Sequence, residues 1–191
     1  MLALLYYLSI FYQAPSPGKS NGKRKGGIKV HTLMDASDDV AIKISFTAAS
    51  ANDVGFLKEL NPQEGSFIVF DKGYVDYTQY ERLTNDGVFF VTRQKKDASY
   101  IETATNPVSA EAWDAGVMAD RMIILGTRTH RKKIKLKSRQ VTFWDKEKDR
   151  TFEFLTNNFS LSALEIANLY KKRWQIETLF KRIKREFGLS S

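Results

Sequence analysis

The 191-residue chain has no cysteine, which excludes disulfide frameworks and thiolate metal sites and fits a cytosolic protein. No apolar run is long enough to span a membrane: MLALLYYLSIFY, at residues 1–12, falls short of the about 20 residues needed. Because no basic segment precedes this run and no small-residue cleavage site follows it, a signal peptide is not predicted. The run instead predicts a buried strand, and we expect no membrane partner.

Acidic residues are missing from two basic clusters. GKSNGKRKGG, at 18–27, has four Lys or Arg, and RTHRKKIKLKSR, at 128–139, has seven. One such cluster is most often a solvated face. Several clusters in a chain with a net charge of +8 favour a nucleic-acid partner.

Hydrophobic periodicity in residues 1–93 predicts the order strand, strand, strand, helix, strand, helix, strand. After the first strand come a hairpin (28–35 and 40–48), a helix (52–60), a strand ending on Asp71 (66–74), a helix stopping at Gly87 (75–87) and a strand (88–93). This order predicts an α/β fold with a mixed sheet and helices on its faces.

The remainder of the chain predicts two further parts of a single domain, 1–191. Residues 94–150 contain short strands with little helix, including separate strands for KKIKLKS and RQVTFW, and predict a β-rich insertion. Residues 151–191 predict a helix that begins with a capping box of Ser162 and Glu165 and stops at Gly188.

That last helix contains YKKRWQIETLFKRIK at 170–184, in which Glu177 is the single acid among six Lys and Arg. At 100° per residue, an apolar stripe that includes Ile176 and Phe180 faces the core. Tyr170, Arg173 and Lys184 fall within about 40° of Glu177, beside that stripe. The arrangement fits an ordinary Arg173–Glu177 surface pair, or a metal-binding carboxylate flanked by groups that contact phosphates.

The spacing of Tyr170, Arg173, Glu177 and Lys184 is similar to the Y-R-E-K signature of bacterial insertion-sequence transposases of insertion sequence family 4, which have a DDE transposase domain. FDKGYVD at 70–76 resembles the block around that family's second Asp, and KGGIKVHTLMD at 25–35 resembles its early hairpin. The similarity covers most of residues 23–187.

This resemblance implies a ribonuclease H-like fold with a β-rich insertion before the last catalytic helix. It implies DNA transposition, in which water and then a DNA 3′-hydroxyl attack a phosphodiester at a site with two Mg²⁺ (or Mn²⁺) ions. Double-stranded DNA, as transposon ends and target, is the implied partner, bound by a homodimer. The implied location is the bacterial cytoplasm, in association with the nucleoid.

Residue by residue, the resemblance makes Asp71 and Glu177 catalytic metal ligands, and Tyr170, Arg173 and Lys184 phosphate contacts. The family's first Asp has no counterpart, because the first predicted strand contains no acid. Either the chain is a truncated or out-of-frame descendant, or this carboxylate has been lost. We expect a catalytic-core fragment, truncated at both ends and defective alone; the alternative is an inactive DNA-binding remnant.

Two further features remain open in the sequence. Lys133, Lys135, Lys137 and Arg139 alternate on one face of a presumed strand, which fits either a DNA-contacting surface or a solvated edge strand. Trp144 is expected to pair across a hairpin with Phe152 or Phe154 rather than to stack on a base.

Overall fold

The computed structural model of the chain describes residues 4–13, 27–35, 40–48, 51, 54–126 and 135–186. Its strands are β1 (Leu4–Gln13), β2 (Gly27–Asp35), β3 (Val40–Ala48), β4 (Phe67–Val69), β5 (Phe89–Arg93), β6 (Tyr100–Asn106), β7 (Val117–Gly126), β8 (Lys135–Asp145) and β9 (Arg150–Thr156). Its helices are α1 (Val54–Lys58), α2 (Tyr77–Asn85), α3 (Ala110–Asp114) and α4 (Ala163–Glu186), with a 3-10 turn at Lys72–Tyr74.

The strands form one mixed sheet in the order β3-β2-β1-β4-β5-β9-β8-β7-β6. β4 pairs in parallel with both β1 and β5, and the other pairs are antiparallel. The strand and helix order predicted for the first 93 residues is confirmed, as is the β2–β3 hairpin. The turn of that hairpin and the first two residues of the helix predicted at 52–60 lie outside the described residues.

Residues 94–150 are rich in strands, and they extend the same sheet. Because β9 pairs with β5, strands β8, β7 and β6 continue outward from the β5 edge. The prediction of two separate strands for KKIKLKS and RQVTFW is wrong: residues 135–144 all belong to the 11-residue β8, whose pairing with β7 continues through Ser138 and Arg139. β8 lies between β7 and β9 in the sheet order, but its pairing with β9 begins at Arg139, so Lys135 and Lys137 pair with β7 alone. The choice between a solvated edge and a DNA-contacting surface for these lysines stays open. The division into three parts stays a prediction.

The central strands bury side chains on both faces of the sheet. Ile68 and Phe70 pack in one core cluster with α1 and α2 residues, whereas Phe67 and Val69 pack in a second cluster with residues of α4. Strands covered on both faces are continuously apolar, which explains the FIVF run in and after β4. The two helical layers therefore hold the end of β4 in a fixed position. Of the helices in the described part of the chain, none is long and apolar enough to cross a membrane.

Helix α4 starts as predicted. The Ser162 N–H donates to Glu165 Oε2 at 2.7 Å, and the Glu165 N–H donates to Ser162 Oγ at 3.2 Å. Hydrogen bonds from the Ser162 hydroxyl and backbone hold the pKa of Glu165 below its usual value. This reciprocal capping box fixes the first turn of α4. The predicted stop at Gly188 lies outside the described residues.

Candidate functional site

Asp71 lies at the carboxyl end of the central strand β4. The strand ends at Val69, two residues earlier than predicted, and Asp71 caps the 3-10 turn that follows. Its Oδ1 accepts a hydrogen bond from the Lys72 N–H at 2.6 Å. The carboxylate is thus presented at the sheet edge, where open sheets with parallel strands bind ligands.

Arg93, the last residue of β5, holds the carboxylate from the neighbouring strand. Its Nε donates to Asp71 Oδ1 at 3.0 Å and its Nη2 donates to the same oxygen at 2.6 Å. The guanidinium also lies over the rings of Phe152, at 5.8 Å, and Tyr170, at 6.0 Å. The sequence reasoning missed Arg93, although aligning β4 with β5 in parallel would have placed Arg93 beside Asp71.

Tyr170 and Arg173 reach the same carboxylate from α4. The Tyr170 hydroxyl donates to Asp71 Oδ1 at 3.3 Å, and the Arg173 guanidinium lies 5.0 Å from the Tyr170 ring centroid. Both side chains are buried, at 0% and 2% exposure. Their expected place beside the core stripe is therefore wrong: they lie within the core, because the Tyr170 ring packs on Phe154 at 4.8 Å. Contact of either side chain with phosphates stays a prediction.

The charges around Asp71 favour its ionised form. Burial alone raises the pKa of Asp71, but the Arg173 charge, together with the hydrogen bonds and charge of Arg93, outweighs burial and lowers that pKa below its usual value. Burial raises the pKa of Tyr170, so its hydroxyl stays a proton donor. Asp71 is therefore a carboxylate at neutral pH.

The two oxygens of Asp71 are not equivalent. Every hydrogen bond that Asp71 receives from the described residues reaches Oδ1, while the side chain keeps 34% of its surface exposed. Oδ2 is therefore the oxygen available to a cation, and a carboxylate oxygen suits a hard divalent ion. Among the described residues, no three His, Asp or Glu side chains are grouped to hold a metal.

Glu177 and Lys184 are both carried by α4, but their side chains lie outside the described part of the structure. Glu177 follows Tyr170 by seven residues, which is about 10 Å along the helix. Whether the Glu177 carboxylate joins Asp71 stays a prediction.

The predicted β8 lysines lie away from this site. Lys133 lies outside the described residues, while Lys135 and Lys137 are exposed. Arg93 pairs with Phe154, which in turn pairs with Val141, so Val141 lies level with Arg93 two strands away. Lys137 precedes Val141 by four residues, which places it about 13 Å back along the strand direction, away from the end that carries Asp71. Arg139 alternates with them along the same strand, but it is not exposed, because it is buried in an ion pair with Asp120. The described lysines of β8 therefore lie toward the end of the strands that is opposite to the end carrying Asp71.

Trp144 and Trp174 differ in their surroundings. Trp174 packs under the site, with its ring 4.6 Å from Phe152 and 5.4 Å from Tyr170, and Lys148 Nζ lies 3.3 Å from its ring centroid. The predicted pairing of Trp144 with Phe152 or Phe154 is wrong, because Trp144 lies opposite Thr151. Phe143 takes the place opposite Phe152 instead.

A family model described as "Transposase DDE domain" matches residues 10–191 of the chain. A putative transposase, y4zB, of Sinorhizobium fredii (strain NBRC 101917 / NGR234) is 30% identical over 173 residues, 91% of this chain and 48% of that protein. A probable transposase for insertion sequence element IS5377 of Geobacillus stearothermophilus is 24% identical over 161 residues, 84% of this chain and 41% of that protein. The chain thus spans about half the length of the relatives that it matches.

Among solved structures, endonuclease V of Bacillus subtilis aligns with 97% of this chain and 84% of its own, with a TM-score of 0.41 and 11% identity. Endonuclease V of Streptomyces avermitilis aligns with 97% of this chain and 82% of its own, with a TM-score of 0.37 and 10% identity.

Proposed function

The chain belongs to the transposase DDE domain family, and from that membership we propose that it serves DNA transposition by metal-dependent strand cleavage and strand transfer. The substrate we propose is double-stranded DNA, as transposon ends and target. We further propose the insertion sequence family 4 type, supported by the Y-R-E-K spacing of Tyr170, Arg173, Glu177 and Lys184. A homodimer on DNA belongs to the same proposal.

The observation that carries the proposal is the environment of Asp71. Groups from three different elements fix its Oδ1, namely the Lys72 N–H, Arg93 and Tyr170, and they leave Oδ2 at an exposed sheet edge. A surface turn aspartate does not need a half-buried arginine and a buried tyrosine to orient it. Such support is typical of a carboxylate that must hold a ligand in one geometry.

The strand order supports a ribonuclease H-like core. Strands β3-β2-β1-β4-β5 form a five-stranded mixed sheet, with β1, β4 and β5 parallel, and α4 packs on one face. This part agrees with the five-stranded sheet that the family resemblance implies. We propose that β6, β7, β8 and β9 are the insertion that precedes the catalytic helix.

Asp71 and Glu177 would hold the divalent ions, Mg²⁺ or Mn²⁺. When bound, such ions lower the pKa of an attacking oxygen and stabilise the charge on the leaving oxygen. Arg93 and Tyr170 keep Asp71 ionised and oriented, since they donate to the oxygen that faces inward. Arg173 adds a positive charge near the carboxylate, which would offset the charge of a bound phosphodiester.

Further phosphate contacts are proposed for cations away from Asp71. Lys184 follows Glu177 by about two turns of α4. Lys133, Lys135 and Lys137 would contact DNA only where the duplex continues past the far edge of the sheet.

A second candidate, a catalytically inactive DNA-binding remnant, is favoured by β1. This strand contains no Asp or Glu, although it is the parallel neighbour of β4. Extending the register of Tyr6 with Val69 by two residues places position 8, a leucine, next to Asp71. A carboxylate from the neighbouring strand is therefore missing at this level.

A cleavage assay separates the two candidates. We expect slow, Mn²⁺-dependent nicking of a labelled linear duplex by the wild-type chain, and loss of that nicking in Glu177→Ala, because Glu177 supplies a metal ligand. Gel electrophoresis over a Mn²⁺ titration measures the nicked product. Duplex binding with no nicking at any Mn²⁺ concentration would contradict the enzyme and support the remnant.

A further inference from the structure

Two open cavities meet beside Asp71. One, of about 430 Å³, is lined by Lys72, Arg93, Lys96 and Arg150 together with Phe152 and Glu153. The other, of about 590 Å³, is lined by Asp71 and shares Lys72 and Lys96 with the first. The first cavity, which we call the basic groove, therefore adjoins the cavity that Asp71 lines, and its Arg93 donates to the Asp71 carboxylate.

The fold brings the cations of the basic groove together from distant parts of the chain. Lys72 follows β4, Arg93 and Lys96 lie at the end of β5, and Arg150 starts β9. Because β9 runs antiparallel to β5, its first residue lies at the edge where β4 and β5 end. The cations of the basic groove therefore do not form a single cluster in the sequence, and the sequence pattern did not predict the groove.

The charge of the basic groove is strongly unbalanced. It has four cations and one carboxylate, Glu153. In the described part of the chain only Arg93 among these cations forms an ion pair, with Asp71. Lys72, Lys96 and Arg150 are exposed, so their charges are available to an anion.

The floor of the basic groove favours contacts with phosphates over contacts with bases. The guanidinium groups of Arg150 and Arg93 lie 4.6 Å and 5.8 Å from the Phe152 ring centroid. Phe152 itself is 4% exposed, so its ring offers no stacking surface to a base. The two guanidinium groups are thus held in place by one buried ring, and binding would be independent of sequence.

We propose that the basic groove binds the phosphodiester backbone of the DNA strand that leads away from the Asp71 site. This inference rests on the proposed function, since it takes DNA as the substrate. Arg150 lies four residues along β9 from Phe154, the partner of Arg93, which is a distance of about 13 Å. Successive phosphates on one strand are separated by more than the axial rise of about 3.4 Å, so the groove contacts at most about four phosphates.

The test is the salt dependence of duplex binding, measured without divalent ions by the fluorescence anisotropy of a labelled duplex of arbitrary sequence. The double variant Lys96→Gln/Arg150→Gln removes two phosphate contacts. We expect the slope of log K against log [NaCl] to become shallower by about 1.8, and binding at about 0.1 M NaCl to weaken at least ten-fold. Both side chains are exposed, so the fold should be unaffected, which a thermal melt checks.

Lys58→Gln/Lys172→Gln is the matched control, because it removes the same charge at two exposed lysines outside the groove. We expect its salt slope to stay close to that of the wild type. The proposal that the basic groove binds DNA would be overturned by an unchanged salt slope and affinity in Lys96→Gln/Arg150→Gln. An equal loss of affinity and salt slope in the control variant would overturn it as well. A wild-type chain that binds no duplex would overturn the proposed function as well, whereas binding without Mn²⁺-dependent nicking leaves the groove standing.

Discussion

Replacing Asp120 with alanine should lower the free energy of unfolding by about 3–5 kcal/mol, because it leaves Arg139 as an uncompensated buried charge. Asp120 and Arg139 form a two-pronged ion pair, Nε to Oδ1 at 2.8 Å and Nη2 to Oδ2 at 2.7 Å. Their side chains are only 5% and 7% exposed. Equilibrium unfolding in urea measures the change.

Two comparisons make that result interpretable. Glu102 and Arg121 form a half-exposed ion pair, with 3.4 Å between Glu102 Oε2 and Arg121 Nε. Glu102→Ala should therefore lower the free energy of unfolding by less than about 1 kcal/mol. Asp120→Leu/Arg139→Met removes both buried charges and should recover part of the loss, although the Leu161 carbonyl loses its donor Arg139. A loss below about 1 kcal/mol for Asp120→Ala would contradict the buried pair.

The Asp120–Arg139 pair also matters for the site. Arg139 donates to the Leu161 carbonyl, which immediately precedes the capping box of α4. The pair therefore ties β7 and β8 to the start of the helix that carries Tyr170, Arg173 and Glu177. An Asp120 variant that folds should hold this helix less firmly.

Leu8→Asp should increase Mn²⁺-dependent nicking of duplex DNA roughly 100-fold, which corresponds to about 2.7 kcal/mol of transition-state stabilisation. Position 8 is next to Asp71 in the extended register of β1 with β4. A carboxylate there would supply a metal ligand from the adjacent strand, which β1 lacks. Initial nicking rates at saturating Mn²⁺ measure the gain.

Leu8→Asn is the matched control for Leu8→Asp, because asparagine has nearly the same shape as aspartate but no negative charge. This variant should not increase nicking. The double variant Leu8→Asp/Asp71→Asn should lose the gain, because both carboxylates are needed. A gain shared by Leu8→Asn, or kept in the double variant, would contradict the role given to this edge of the sheet.

Local patterns were sufficient to predict the order of elements in residues 1–93 and the position of Asp71 at a strand end. Uniformly apolar runs predicted the buried strands, and an aspartate followed by Lys-Gly marked the end of one of them. The partner of that aspartate could not be predicted in the same way. Arg93 is 22 residues away and meets Asp71 only through the parallel register of β4 and β5.

The helical wheel also did not predict the burial of Tyr170 and Arg173. A wheel separates apolar from polar faces, so a tyrosine and an arginine were placed beside the core. In the structure both are buried, because Phe154 packs on the Tyr170 ring and Asp71 accepts from its hydroxyl. A buried polar pair of this kind is specified by the opposing strands, which the helix sequence does not contain.

The lysine run in β8 is a second case in which a local pattern did not predict burial. The alternation places Lys135, Lys137 and Arg139 on one face, yet Lys135 and Lys137 are exposed whereas Arg139 is buried. Which edge of the sheet those lysines occupy depends on the β9-β8-β7 order, which follows from pairings between distant segments.

Mn²⁺ binding, followed by electron paramagnetic resonance, tests whether Asp71 is a metal-binding carboxylate without relying on catalysis. We predict that Asp71→Asn, which keeps the shape of the side chain, weakens Mn²⁺ binding at least about ten-fold. Asp114→Asn, at an exposed aspartate outside the site, should leave binding unchanged. Equal Mn²⁺ affinity in the wild type and in Asp71→Asn would contradict the account.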